Sequence, residues 1–413
     1  MSRPYCGIDF GTSNSAVCIG QEADVRLVPI EGDAVTLPSA LFFNAETDEV
    51  TFGRHAVAEY LDGYDGRLMR ALKSILGSSL IGETTQVGGK RKDFRAIIGL
   101  YIAELKRRAE AVAGTQIDQV VLGRPVRFVD GDDVADARAE AELRGIAQAQ
   151  GFRDIAFEYE PLAAARDYQS RLSQRETTLV VDIGGGTSDF SVVELAPDQS
   201  DSRILANGGV HIGGTDFDTR LSLATVMRDM GYRSQLKSGL EMPGLYYHQL
   251  STWHLINFLY NQKTMTGVRQ LHHQAADRGL TQRLITVLER HAGHDIANRV
   301  EQAKIALSEA GLSQVDLTAL EAGWTHDMDR DTLVTAITAD VQKVVDAALA
   351  TTTKADIAAD RVQTLFMTGG STALPGFEAA MAAAFPAARI HYGDRLSSVA
   401  SGLGLAAKER FNS

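Results

Sequence analysis

The chain has 413 residues, too many for one ordinary hydrophobic core, so its length predicts two lobes or domains. Hydrophobic residues make up 44% of it and charged residues 23%, proportions that are typical of a globular protein. The net charge of −12 argues against a nucleic-acid partner, and no apolar run approaches the ~20 residues that cross a bilayer. The N-terminus carries no apolar signal region, so a cytoplasmic location without membrane contact is expected.

The first predicted element is a β-hairpin at the N-terminus. A short strand runs into Asp9, and Gly11, Thr12, Ser13 and Asn14 follow before a second strand begins. Asp and Gly are common turn formers, so one turn of this kind is weak evidence for a phosphate site.

Two cysteines, Cys6 and Cys18, lie on the two strands of this hairpin and are candidates for cross-strand neighbours. They could form a disulfide or remain as free buried thiols. Free thiols are favoured in a chain without export signals.

The next predicted segment mixes strands and helices. Residues 51–61 begin as a strand and become a helix, residues 67–77 form a short helix ended by Gly77, and residues 82–93 form an exposed hairpin or loop. Apolar residues at helical spacing predict an amphipathic helix over residues 94–113. The first lobe is then completed by a strand at 119–126, a helix at 132–150, a strand at 152–157 and a helix from 158 onwards.

A second Asp-Gly hairpin opens the second half. An apolar strand ends in Asp182, and Gly184, Gly185 and Gly186 follow before the next strand. Three residues without Cβ atoms let backbone N–H groups surround an anion, and Asp182 is suitably placed for a hydrated Mg²⁺. Because the pattern of Asp9 recurs at the corresponding position, the sequence predicts an internal duplication with a nucleotide held between the two copies.

The rest of the chain repeats this order with an insertion. A third glycine turn at 210–218 runs into a helix, and residues 230–300 form long helices whose aromatic residues are better explained as core than as a ligand surface. A buried strand at 361–368 leads to Gly369 and a helix, a junction whose amides can meet an α-phosphate or a sugar. A helix of small residues, 397–408, closes the chain.

Taken together, these motifs resemble the actin-like ATPase superfamily, and within it the ATPase domain of DnaK-type, seventy-kilodalton heat-shock chaperones. The resemblance implies an α/β fold of two duplicated actin-like (ribonuclease H-like) lobes around a nucleotide cleft. Lobe I would span residues 1–173 with an insertion at about 40–115, and lobe II residues 174–388 with a helical insertion at about 215–328. Residues 389–413 would return to lobe I. The matching stretches begin at Ile8, Glu160, Asp182, Ile212, Glu301 and Gly369.

The resemblance also implies ATP or ADP with Mg²⁺ as cofactors, and it assigns roles to residues. Glu160 would position or deprotonate the attacking water, and Lys73 would be the catalytic lysine, although Lys73 is also explained as a solvated helix lysine. The implied catalytic residues are Lys73, Glu160, Asp182 and Thr187, and the implied metal contacts, largely through water, are Asp9, Asp182 and Asp189. The implied nucleotide contacts are Gly11, Thr12, Ser13, Asn14, Gly184, Gly185, Gly186, Thr187 and Gly214 at the phosphates and Glu301, Lys304, Ser308, Gly369, Gly370 and Ser371 towards the nucleoside.

Three departures from the family pattern affect the expected function. Ile305 and Ala373 stand where the chaperones carry arginines that stack on adenine, so weaker nucleotide binding is expected. The chain ends at Ser413, where the chaperones continue into a peptide-binding half, so a stand-alone ATPase domain is expected. Pro125 matches the proline that relays the nucleotide state to that half, and it is equally well explained as a strand terminator.

The expected function is slow Mg²⁺-dependent ATP hydrolysis coupled to lobe opening and closing. The expected partners are ATP and an unidentified protein, a co-chaperone or a client. Three alternatives remain open: a nucleotide-gated binding module with negligible hydrolysis, a small-molecule kinase or phosphatase of the same superfamily, and a filament-forming homologue.

Overall fold

The computed structural model describes residues 3–21, 24–76, 78–87, 90–129, 131–198, 201–394 and 397–412. The elements of the first half are the strands β1 (Tyr5–Phe10), β2 (Asn14–Gln21), β3 (Asp24–Leu27), β4 (Thr36–Pro38), β5 (Ala40–Asn44), β6 (Val50–Phe52), β7 (Gly66–Arg70), β8 (Thr84–Val87), β9 (Lys90–Asp93), β10 (Gln119–Arg124) and β11 (Asp154–Tyr159), with the helices α1 (Gly53–Leu61), α2 (Phe94–Ala113), α3 (Asp133–Ala149) and α4 (Glu160–Gln169).

The second half has more helix than the first. Its strands are β12 (Glu176–Ile183), β13 (Ser188–Leu195), β14 (Arg203–Val210), β15 (Leu312–Asp316), β16 (Thr325–Asp329), β17 (Thr364–Thr368) and β18 (Arg389–Tyr392). Its α-helices are α5 (Gly214–Ala224), α6 (Val226–Asp229), α7 (Leu245–Leu250), α8 (Gln262–Gln274), α9 (Arg278–Glu289), α10 (Gly293–Glu309), α11 (Arg330–Lys354), α12 (Phe377–Ala384) and α13 (Ser398–Phe411). Short 3₁₀ helices cover Leu72–Ile75, Trp253–Leu259 and Gly370–Ala373.

Two sheets repeat one topology. The first has the strand order β3-β2-β1-β10-β11 and the second the order β14-β13-β12-β17-β18. In each, an antiparallel hairpin is extended on one side by an antiparallel strand and on the other by two parallel strands. Asp9 and Asp182 are both the next-to-last residue of the first hairpin strand. The predicted α/β fold with two duplicated lobes is therefore confirmed, and we call the parts built on these sheets the first and second lobe.

Hydrophobic packing follows this division. One large buried cluster lies in the second lobe, and another lies in the first lobe between the sheet and helices α2 and α3. A third cluster joins the two sheets, because it contains Tyr5 and Val121 of the first, Val180 and Phe366 of the second, and residues of α4 and α13. Helices α4 and α13 thus connect the lobes at the base of the molecule.

Most predicted elements are found, and local signals explain their limits. Helix α2 covers the predicted residues, with Asp93 accepting a hydrogen bond from the Ala96 N–H at its start and Gly114 in a left-handed conformation at its end. The predicted hairpin at 82–93 is the pair β8–β9. Strand β18 pairs with β17 in the second sheet, whereas α13 packs against β1, β2 and β10 of the first.

The prediction of a helix over residues 67–77 is wrong in its first part. Gly66–Arg70 is a strand, β7, because it pairs with β5 in a small antiparallel sheet with Phe42 opposite Leu68. Ala71 then takes a left-handed conformation, with φ at 55°, and one turn of 3₁₀ helix follows. The predicted terminator Gly77 lies outside the described residues.

Cys6 and Cys18 are both free and buried, as favoured from the sequence. Cys6 is opposite Ile19 and Cys18 is opposite Gly7 in the ladder, so the two side chains lie on opposite faces of the sheet and are not cross-strand neighbours. The predicted core role of the inserted aromatics holds for Tyr247, which is fully buried, but not for Phe258, which is 69% exposed. Over the described residues, no helix combines the length and apolar composition needed to span a bilayer.

Candidate functional site

The first hairpin turn is closed by contacts with a neighbouring strand. Ser39 donates a side-chain hydrogen bond to the Gly11 carbonyl at 2.6 Å and a backbone hydrogen bond to the Ser13 carbonyl at 2.8 Å. A Cβ atom on Gly11 would overlap the carbonyl of Asn14, so the tight turn requires glycine. Sequence analysis did not identify Ser39, since nothing local links it to a turn 26 residues earlier.

The second turn packs against the third glycine turn. The Gly214 N–H donates to the Gly184 carbonyl at 3.0 Å, and the Thr215 N–H donates to the Gly185 carbonyl at 2.7 Å. A Cβ on Gly213 would lie 2.7 Å from the Gly185 carbonyl carbon, closer than real Cβ contacts. Glycines in both turns therefore allow two backbone segments to touch, as well as leaving backbone amides accessible.

The two hairpins approach each other at these turns, and the junction after β17 joins them. A Cβ atom on Gly185 would overlap the Ser13 hydroxyl, which places the first turn directly against the second. Gly369, with φ at 84°, abuts the Asp182 carboxylate, and a Cβ there would overlap the Ile183 carbonyl. The structure thus brings together four glycine-containing segments that are far apart in the sequence.

A charged cluster lies beside the turns. The Lys73 ammonium forms an ion pair and hydrogen bond with Glu160, and Lys73 is buried. Burial alone would lower the pKa of Lys73, but Glu160, Asp9 and Asp182 together raise it. Lys73 is therefore not a solvated helix lysine: it is a buried cation among carboxylates.

The two hairpin aspartates are unusually weak anions in the protein without a ligand. Removal from water, followed by the negative charge of Glu160, raises the pKa of Asp9 to about 7. Removal from water and the charge of Asp189 raise the pKa of Asp182 to about 7. Lys73 opposes both shifts without cancelling them. The site therefore carries excess negative charge that an added cation would relieve.

The donor set fits a hydrated cation better than a directly ligated one. Within the described ranges, no three His, Cys, Asp or Glu side chains come close enough together to coordinate a metal ion directly. Asp189, which accepts a hydrogen bond from the Thr187 hydroxyl at 2.9 Å, is opposite Asp182 in the ladder. Carboxylates spread in this way suit Mg²⁺, which keeps most of its waters.

These pKa values predict a pH-dependent stability of the metal-free protein. A carboxyl with a folded pKa near 7 and an ordinary value near 3.8 contributes stability at low pH that is lost as pH rises through 7. Buried His294, with a pKa lowered to about 4, has the opposite sign, but its effect ends below about pH 6.5. In EDTA, the unfolding free energy should therefore fall by on the order of 1 kcal/mol per aspartate between pH 6.5 and 8.

Denaturant unfolding at pH 6.5, 7.2 and 8.0 measures this effect. Asp182→Asn should flatten the fall, whereas Asp167→Asn, on an exposed face of α4, should leave it unchanged. An unfolding free energy that rises over this range and is unaffected by Asp182→Asn would contradict the charge cluster described above.

The third part of the site is formed by α10. Glu301, Lys304 and Ser308 lie on this helix at spacings of three and four. Lys304 is buried, donates to the Gly214 carbonyl at 3.1 Å and lies 2.8 Å from an Asp218 oxygen. Its ammonium therefore ties α10 to the third glycine turn, a role that the sequence did not suggest. Ile305 is 52% exposed beside these residues.

Two contacts cross the mouth of the cleft above this cluster. The Tyr60 hydroxyl, from α1 of the first lobe, hydrogen-bonds with the Asn257 side-chain amide, and its ring meets the His294 ring edge-on at 4.9 Å. The Arg70 guanidinium lies over the Trp253 ring with its carbon 4.9 Å from the centroid. Sequence analysis missed these residues because it placed Arg70 in a helix and had no means of pairing residues almost 200 positions apart.

Comparison with known proteins gives one family. A sequence model described as "Hsp70 protein" matches residues 5–235, more than half of the 413 residues. The chaperone protein DnaK of Thermosipho melanesiensis (strain DSM 12029 / CIP 104789 / BI429) is 31% identical over 217 residues, which are 52% of this chain and 34% of that protein. The chaperone protein DnaK of Thermosipho africanus (strain TCF52B) is 30% identical over the same length and shares. The matched region is thus about a third of the length of these curated relatives.

Proposed function

Since the chain belongs to the Hsp70 family, we propose that it is a chaperone-type ATP-binding protein that hydrolyses ATP slowly and couples this to opening and closing of its lobes. The observation that supports this most is the meeting of two duplicated Asp-Gly hairpins beside the buried Lys73–Glu160 pair. We also propose the limits of lobe I as 1–173, of lobe II as 174–388, and of the returning segment as 389–413.

The proposed chemistry is positioning and charge neutralisation, which dominate phosphoryl transfer. Gly184, Gly185 and Gly186 would offer backbone donors to the β- and γ-phosphates from one side, and Thr12 and Ser13 would offer donors from the other. Glu160, beginning α4, would orient the attacking water and accept its proton, while Lys73 would balance negative charge.

Mg²⁺ fits this site, held through water by Asp9, Asp182 and Asp189, and when bound it would neutralise charge on the phosphate oxygens. Without it, the excess negative charge described above would repel a triphosphate. ATP binding should therefore be weak in EDTA. Asp9→Asn should reduce the magnesium dependence rather than merely lower the affinity for nucleotide.

The direct test is calorimetry with ATP in Mg²⁺ and in EDTA, followed by single-turnover phosphate release. We expect binding that requires Mg²⁺ and phosphate release over minutes or longer. Absence of ATP binding in Mg²⁺ would reject the proposal. Tight binding without phosphate release would favour the nucleotide-gated module, which the cross-cleft contacts of Tyr60 and Arg70 also support. Turnover that a sugar stimulates would favour a kinase.

Restoring a stacking cation should tighten nucleotide binding. Ile305 is exposed on α10 where the resemblance to the DnaK-type chaperones leads one to expect an arginine, so Ile305→Arg should lower the Kd for ADP by roughly tenfold. Leu312→Arg, at a site that is 73% exposed, is the matched control for added positive charge. An equal gain in both variants would indicate a general electrostatic effect and not base stacking.

The proposed partners are ATP and a protein, a co-chaperone or a client. The relatives are named chaperone proteins, but the alignment covers only about a third of their length, so partner binding is the least constrained part of the proposal. Capture of a client by the ATP-loaded form and not by the ADP-loaded form would support it.

A further inference from the structure

Arg70 and Lys73 enter the cleft from one short stretch of the first lobe. Arg70 ends β7, Ala71 reverses the chain in a left-handed conformation, and Lys73 lies in the 3₁₀ turn that follows. A left-handed alanine costs roughly 1–2 kcal/mol and persists only where the surroundings impose it, often at a functional site. At most ~10 Å of chain separates the two residues, so they reach different levels of the cleft.

The surroundings of Arg70 differ from those of Lys73. Lys73 is paired with Glu160 near the hairpin aspartates, whereas Arg70 lies over Trp253, whose ring is 4.8 Å from His294. Among the described residues, the Arg70 side chain has no hydrogen bond or ion pair. A guanidinium has five N–H donors, and here a ring face is its one defined neighbour.

Arg70 also combines exposure with close surroundings. Part of its surface reaches solvent, yet burial lowers its pKa, while the carboxylates of Glu301 and Asp218 raise it. A side chain in a narrow, solvent-filled space shows both properties. Arg70 therefore faces the cleft at the level of α10 and is not on the outer surface.

The charges at that level suit a nucleoside better than a phosphate. Glu301 and Asp218 are acidic, and the ammonium of Lys304 is already held by Asp218 and the Gly214 carbonyl. Carboxylates repel phosphate oxygens but accept hydrogen bonds from ribose hydroxyls. A planar guanidinium supported by an indole ring can stack on a base or donate to a sugar oxygen.

From this arrangement we propose that Arg70, supported by Trp253, is a specificity-determining residue that binds the nucleoside part of the ligand from the first lobe. This inference rests on the proposed nucleotide binding and adds a contact that α10, with Ile305 in its exposed position, does not provide. It also links ligand binding to cleft closure, because Arg70 and Trp253 belong to different lobes.

The test compares ATP with inorganic triphosphate, both with Mg²⁺, by calorimetry. Arg70→Ala should weaken ATP binding roughly tenfold and leave triphosphate binding unchanged. Arg70→Lys should recover little, since an ammonium neither stacks nor presents a planar fork. Arg67→Ala is the control, because Arg67 lies on the same strand, is exposed and donates to the Gln86 carbonyl outside the cleft.

The outcomes separate this inference from the proposed function. Unchanged ATP affinity in Arg70→Ala, or an equal loss for ATP and triphosphate, would overturn the nucleoside role while leaving ATP binding intact. A wild-type protein that binds neither compound would overturn both proposals. If Arg70→Ala does not fold, Trp253→Leu addresses the same contact and should weaken ATP but not triphosphate.

Discussion

Glu160→Gln is expected to reduce single-turnover ATP hydrolysis by roughly 10²–10⁴-fold while Mg²⁺–ATP still binds. Glu160 is the first residue of α4, with Pro161 in the first turn, so its side chain is fixed at the helix N-terminus and held by Lys73. Glutamine keeps the shape of the side chain but cannot accept a proton from water. Proton transfer is therefore lost, and the contacts of the phosphate turns are retained.

Lys73→Ala should have an equal effect on turnover but a different effect on stability. It removes the cation that opposes the pKa shifts of Asp9 and Asp182, so the metal-free variant should be less stable than wild type near pH 8. Glu160→Gln removes a negative charge from the same cluster and should not have this cost. Asp167→Asn, on the exposed side of α4, is the control for both variants. Full turnover in both Glu160→Gln and Lys73→Ala would show that the catalytic assignment is wrong.

Gly402→Ala is expected to destabilise the protein by roughly 1–3 kcal/mol or more. Gly402 lies in α13 where this helix crosses α4, and a Cβ atom there would overlap the carbonyl oxygen and carbon of Ala163. Both obstructing atoms belong to the backbone, so no side-chain rotation relieves the overlap. The two helices would have to separate at the cluster that joins the lobes.

Denaturant unfolding measures the loss, and Gly145→Ala provides the opposite control. Gly145 is exposed within α3 and has open space around its Cβ direction, so alanine there should stabilise the protein by roughly 0.5–1 kcal/mol. Because α4 begins with Glu160, Gly402→Ala should also slow hydrolysis at temperatures where it remains folded. A variant as stable as wild type would mean that the helices have room to separate without loss.

The predictions that succeeded came from patterns that are local in the chain. Helix α2 has apolar residues at helical spacing and a cap at each end, so its limits follow from about 20 neighbouring residues. The two hairpins each contain an aspartate, glycines and flanking apolar strands within 15 residues. Their similarity to each other predicted the duplicated sheets, which the strand orders confirm.

The prediction that failed shows the limit of local patterns. Residues 66–70 contain Arg, Leu and Met, which favour helix by intrinsic propensity. They form a strand because β5 offers a partner edge, and strand formation depends on such neighbours more than on the strand's own residues. This error also hid Arg70, whose direction into the cleft follows from the strand and from the turn at Ala71.

For this protein, the sequence alone determined which residues could form phosphate turns, where most helices and strands lie, and that the chain contains two similar halves. The tertiary structure decided that Lys73 meets Glu160, that Ser39 closes the first turn, that Lys304 is held internally, and that Arg70 faces Trp253. The physical reason is range. Backbone preferences and hydrophobic periodicity act over a few residues, whereas ion pairs, stacking and desolvation depend on groups that only the folded chain brings together.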